Sequence, residues 1–198
     1  MEQAARAIED IRLNGGRPCV DFVNTIHDRN AAPQEDYLTT PERLLAWAAR
    51  AGLVHAGEKL AAPTRADQRA RLMSETRRLR EAVHALLSAR IEGTAAPQGA
   101  LRTLDRWVHA AWKDFVLTGL AGGRAAVKNA SRTAKLVLMR ASLCALDLLS
   151  GEQAANLKCC PECGWLFLDT SKNGSRRWCS METCGAVVKM RNYRKRSG

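Results

Sequence analysis

Two cysteine pairs near the C-terminal end restrict this chain more than any other feature. Cys160-Pro-Glu-Cys163 and Cys179-Ser-Met-Glu-Thr-Cys184 are separated by 15 residues. Two pairs at this spacing supply four thiolates to one tetrahedral Zn²⁺, each about 2.3 Å from the ion. A disulfide framework and a redox dithiol are the competing readings. The chain has seven cysteines, so full pairing would leave one over, and a reducing cytosol rarely uses disulfides as staples. A redox Cys-x-x-Cys opens a helix in a βαβ setting, which is missing here. The pattern therefore predicts one structural zinc on Cys160, Cys163, Cys179 and Cys184. With four protein sulfurs the ion has no open position, so it holds shape and does no chemistry. The Cys-Pro-x-Cys-Gly pattern selects Cys160 over Cys159, which is left as a spare. Cys19 and Cys144 lie in apolar helical stretches and read as small buried hydrophobes.

The residues between the pairs suggest what the metal shapes. Trp165–Leu168 and Arg176–Trp178 read as two short strands, with Asn173-Gly174 as a tight turn between them. Gly164 suits a knuckle because it tolerates positive φ. From about Thr183 a helix can carry Cys184 in its first turn. Its Val187, Met190 and Tyr193 would turn toward Trp165 and Trp178. Knuckle, hairpin and helix make a treble-clef-like unit of about 40 residues, too small to fold without the metal's contribution.

Charge is concentrated in the same place. Of a net +11, residues 158–198 carry nine Lys/Arg against three Asp/Glu, while residues 1–157 carry 22 against 17. Lys172, Arg176, Arg177, Lys189, Arg191, Arg194, Lys195 and Arg196 form a cationic surface suited to nucleic acid, with salt-dependent affinity. The rivals are a solvated basic tail, a protein-interaction patch built on the tryptophans, and RNA bound by stacking on Tyr193 and those tryptophans.

The rest of the chain reads as helix. Apolar residues make up 46% of it, enough for a core. Arg17-Pro18 opens a helix through Asp28, and Thr40 caps one that ends at Gly52. Thr64 caps a longer helix reaching Gly93. Another runs from about Gln98 to Ala111, with Leu101, Leu104 and Val108 inward. Phe115–Thr118 and Ala125–Lys128, around a Gly-Gly, read as a β-hairpin, with a continued helix as the alternative. Ser131 or Asn129 then caps a helix ending at Gly151. The fold class is mainly α, in the α+β sense: a helical domain over 1–155 and a zinc module over 156–198. On a helix, Asp21, Asn24, Thr25 and Asp28 would share one stripe. There they either line a small-molecule pocket or form a buried hydrogen-bond network, the more usual role of isolated polar residues in helical domains. His55, His84 and His109 are scattered, and no nucleophile–base constellation is visible, so no enzymatic activity is expected. No apolar run reaches the roughly 18–20 residues of a membrane span. The acidic residues of the first 16 positions do not suit a signal peptide, which predicts a cytoplasmic protein.

The stretch CPECGWLFLDTSKNGSRRWCSMETCG resembles the C-terminal CGNR-type zinc finger of bacterial proteins regarded as transcription regulators. GGRPCVDFVNTIHDR and DYLTTPERLLAWAARAGL resemble the helical ABATE domain that precedes that finger. The resemblance implies zinc on Cys160, Cys163, Cys179 and Cys184, a cytoplasmic location and DNA binding. A homodimer would suit paired half-sites. The family's Cys-Gly-Asn-Arg step reads Cys184-Gly185-Ala186-Val187 here. The ligand and glycine are kept, while an amide and a guanidinium suited to phosphate or base contact are replaced.

Overall fold

The computed structural model describes residues 7–121 and 124–196. Arg17 is extended and Pro18 occupies the first helical position, so α1 (Pro18–Val23) begins where the sequence predicts. It does not continue to Asp28. The chain leaves the helix at Asn24, whose side chain is spent on a backbone 142 positions away. Beyond it, Tyr37 N–H donates to Thr25 O and His27 N–H to Glu35 O.

In α2 (Pro41–Arg50), Thr40 Oγ accepts from Arg43 N–H at 3.3 Å, and Leu44, Trp47 and Ala48 are buried. The long α3 (Ala66–Glu92) starts behind an extended Arg65 with no side-chain cap, so Thr64 is not its cap. It ends at Gly93, which adopts the left-handed conformation. In α4 (Gln98–Asp114), Ala100, Leu104, Trp107, Val108 and Ala111 point inward. Leu101, expected inward, is 39% exposed because it lies at the edge of that stripe, whose inward place in the first turn goes to Ala100.

Strands β1 (Phe115–Ala121) and β2 (Arg124–Asn129) pair antiparallel, Phe115 opposite Asn129. The expected Gly-Gly turn lies outside the described residues. Neither Ser131 nor Asn129 caps α5 (Lys135–Ser150), which begins behind Ala134. Ser131 N–H and hydroxyl go to Asp114, and Asn129 Oδ1 accepts from Arg140. After a 3₁₀ turn at Glu152–Asn156, β3 (Leu157–Cys159) pairs antiparallel with β4 (Leu166–Leu168).

The last pairing corrects the expected partner of the 165–168 strand. Residues 176–178 are not a strand, although the Ser171–Gly174 turn forms, with Gly174 N–H donating to Ser171 O at 3.1 Å. Lys158 Nζ donates to Gly174 O and Arg176 O, and Asp169 Oδ2 accepts from Arg176 N–H at 2.8 Å. Those side chains hold the 174–176 backbone in place of a ladder. A turn unit at Met181–Gly185 leads into α6 (Ala186–Arg196), none of whose residues is buried.

Residues on both sides of Asn156 share one core. Phe22, Leu38, Leu44, Trp47, Leu79, Leu138 and Leu148 pack in the same cluster as Leu166 and Phe167. Among the described residues, no helix is long and apolar enough to cross a membrane.

Candidate metal centre and basic helix

The first cysteine pair occupies the turn of the β3–β4 hairpin. Cys160 N–H donates to Trp165 O at 2.8 Å and Gly164 N–H to Cys160 O at 2.9 Å, which folds Pro161–Cys163 into a knuckle. Gly164 is required twice over. Its φ is +72°, and a Cβ there would lie 2.9 Å from Arg29 Cβ. The second pair comes from the segment preceding α6, with Cys184 inside the turn at Met181–Gly185.

The four sulfurs of Cys160, Cys163, Cys179 and Cys184 lie within 4.8 Å of one another. Two of the separations, Cys163–Cys179 and Cys179–Cys184, are 3.6 Å. Four sulfurs about 2.3 Å from one zinc would stand about 3.8 Å apart, so the donor set fits the ion in number, chemistry and spacing. Hydrogen bonds from Cys163 and Cys179 hold the Cys160 thiol far below its ordinary range, while the contact with Cys160 pushes Cys163 far up and Cys179 to about 12. Four thiols this close cannot all ionise by themselves, and a divalent cation is what lets them. The site is that of one structural zinc. Cys159 is exposed and turns its sulfur toward Cys160 O at 3.8 Å, outside the group.

Polar side chains steady this centre: Arg176, expected at the nucleic-acid surface, and Lys158 and Asp169, which the sequence does not mark as functional. The guanidinium of Arg176 donates to Trp178 O and Cys179 O and lies 4.6 Å over the Phe167 ring. Asp169, held well below the usual carboxylate range by Lys158 and Ser171, accepts from Lys158 Nζ at 2.7 Å and from Ser171 N–H and hydroxyl. No local pattern announces Lys158 and Asp169; they face each other because β3 pairs with β4.

The knuckle is sewn to the helices by a row of contacts. Leu168 N–H donates to Gly15 O at 3.0 Å, and Asn24 both donates to Leu166 O at 2.8 Å and accepts from Leu166 N–H at 3.0 Å. Trp165 Nε1 donates to Ile26 O at 2.7 Å, Arg29 N–H to Cys163 O at 2.9 Å, and Asn30 Nδ2 to Glu162 O at 3.1 Å. The 24–36 segment is itself anchored to α3. Buried Arg80 donates to both oxygens of Asp36 and to Thr25 Oγ1, and Glu81 accepts from Arg29.

This accounts for the polar stripe. Asp21 Oδ1 accepts from Gly15 N–H at 2.8 Å, Asn24 binds Leu166, and Thr25 donates to Phe22 O. Asp28 stands apart from them. It lines a cavity of about 740 Å³ between the N-terminal segment and the zinc centre, with Asp10, His27, Tyr37, Glu162 and Thr183.

The candidate nucleic-acid residues also divide. Lys172, Lys189, Arg194, Lys195 and Arg196 are exposed. Arg177 is exposed with its guanidinium 5.5 Å over Trp178, and Arg191 pairs with Glu162 at 2.7 Å. Arg176 faces inward, as described. Val187, Met190 and Tyr193 do not pack on the hairpin as expected; they are 47, 57 and 66% exposed. Trp165 is already buried against Ile26, and α6 projects from the metal-held turn.

A comparison with individually curated proteins finds no match. Family models account for the chain in two stretches. The CGNR zinc finger covers residues 157–197, which include all four sulfur ligands and α6. The other, described as "Putative stress-induced transcription regulator", covers residues 16–152, from the turn before α1 to just beyond α5. That match takes in well over half of the residues, and the finger it precedes has the metal centre built above; the chain belongs to the ABATE family.

Proposed function

We propose that this protein is a DNA-binding transcription regulator in which the zinc centre fixes a cationic helix against a rigid body. One observation carries the reading: α6 stands on the metal-held turn with no buried residue and presents Lys189, Arg194, Lys195 and Arg196 to solvent. A helix of this kind can neutralise phosphates wherever it lies along a duplex. With Ala186 and Val187 at the step after Cys184, base reading is left to more distal side chains. The 740 Å³ cavity beside the knuckle is where a small effector would reach the centre.

Fluorescence anisotropy with duplex DNA over a salt series tests this. Four phosphate contacts would give a log–log slope of about −3.6. Replacing Lys189, Arg194, Lys195 and Arg196 with Ala should flatten the slope and weaken binding at every sequence tried. Weak binding at low salt, or a variant that binds unchanged, would refute the proposal. Single-stranded RNA as competitor separates duplex from unpaired-base recognition.

Exposed Met181, Val187 and Met190 support a second reading, a protein partner docked on the apolar side of α6. Retention of a partner after nuclease treatment, lost in Met190→Glu, would favour it.

A further inference from the structure

Of the three cysteines outside the zinc centre, Cys19 and Cys144 are neighbours. Cys19 N–H donates to Cys144 Sγ at 3.3 Å across the α1–α5 contact. Cys19 is fully buried and Cys144 half-buried; both are free. The Arg17 guanidinium, which donates to Asp147 and Gln153, places its positive charge near Cys144. A half-buried thiol, a buried resolving thiol beside it and a cation nearby are the parts of an oxidisable pair.

We infer that Cys19 and Cys144 are a redox modification site, closed to a disulfide by hydroperoxides and reopened by thiols, which clamps α1 to α5. The asymmetry assigns the roles. The neighbouring Cys19 side chain, the Cys19 N–H bond and the Arg17 charge lower Cys144 to about 6 against the effect of burial, whereas Cys19 is pushed well up. Cys144 thiolate attacks one peroxide oxygen and breaks the O–O bond, giving a sulfenic acid and, after protonation, water or an alcohol. Cys19 then loses its proton and displaces the sulfenic oxygen as a second water. Two thiols and one hydroperoxide thus yield one disulfide, the peroxide taking up two electrons. Two equivalents of an external thiol restore the pair. The clamp lies on the stretch between Gly15 and Asn24, both of which bind β4.

The zinc-loaded full chain is treated with one equivalent of hydrogen peroxide, then alkylated, digested without reduction and mapped by mass. The expected result is a linked Cys19–Cys144 peptide pair that dithiothreitol separates, with zinc retained. In Cys19→Ser, dimedone should trap the sulfenic acid on Cys144. Arg17→Gln should slow the oxidation several-fold at pH 6. The inference is overturned if Cys19 and Cys144 remain alkylatable in the wild-type chain while the zinc cysteines oxidise, a readout that needs no variant. Absence of a dimedone adduct in Cys19→Ser would equally overturn it.

Discussion

Asp21 shows how one buried carboxyl links α1 to its surroundings. Burial raises it to about 6 despite the hydrogen bond from Gly15, and Cys144 adds to the rise. Its unfolded value is about 3.9. The folded chain therefore holds the extra proton between those values, so this group's contribution to stability is full below about pH 4 and is lost as pH climbs through 6. Asp21→Asn keeps the acceptor for Gly15 N–H and removes the titration. The variant should gain up to about 3 kcal/mol at pH 8, and clearly less at pH 5. Urea midpoints at the two values measure it; an equal gain at both would contradict the mechanism. The same region marks a limit of local reading. Pro18 and the apolar spacing announce α1, but nothing nearby announces its end at Val23, because Asn24 is occupied by Leu166.

At the scale of elements, the finger divides into a part held by packing and a part held by metal. Strand β4 is buried along its length and bound through Leu166 and Leu168, whereas α6 buries nothing. Structural zinc sites supply about 10–16 kcal/mol of apparent binding energy, which only the metal-held part lacks a substitute for. Chelation should thus melt residues 178–196 and leave β3–β4 in place. Amide exchange reads this directly: α6 should lose protection at once while Leu166–Leu168 keep theirs, and simultaneous loss would show the hairpin to depend on zinc as well. The cysteine ligands and the helix after them were legible because ligand spacing is a local chemical requirement. The Asn173-Gly174 turn was legible for the same reason. Its strand partner was not, since Leu157–Cys159 is three residues long with no alternation to detect, and its pairing is decided by the knuckle that follows.

Across the whole molecule, the shared core makes the finger part of the helical body. Phe167 and Leu166 are fully buried in the cluster that contains Phe22 and Trp47. Asn24 spans the two, satisfying both backbone groups of Leu166 in a place closed to water. Asn24→Ala would strand a buried N–H and a buried C=O, each costing about 1–3 kcal/mol, so a loss of about 2–4 kcal/mol is expected. The physical question is where that loss appears. If finger and helices unfold as one body, the zinc-loaded variant melts in a single transition, lowered as a whole by several degrees. A finger merely tethered by residues 152–156 would instead give two transitions, with the helical one unmoved. Calorimetry of the zinc-loaded chain and of Asn24→Ala separates the outcomes. The row of contacts from Gly15–Leu168 to Asn30–Glu162 requires the first.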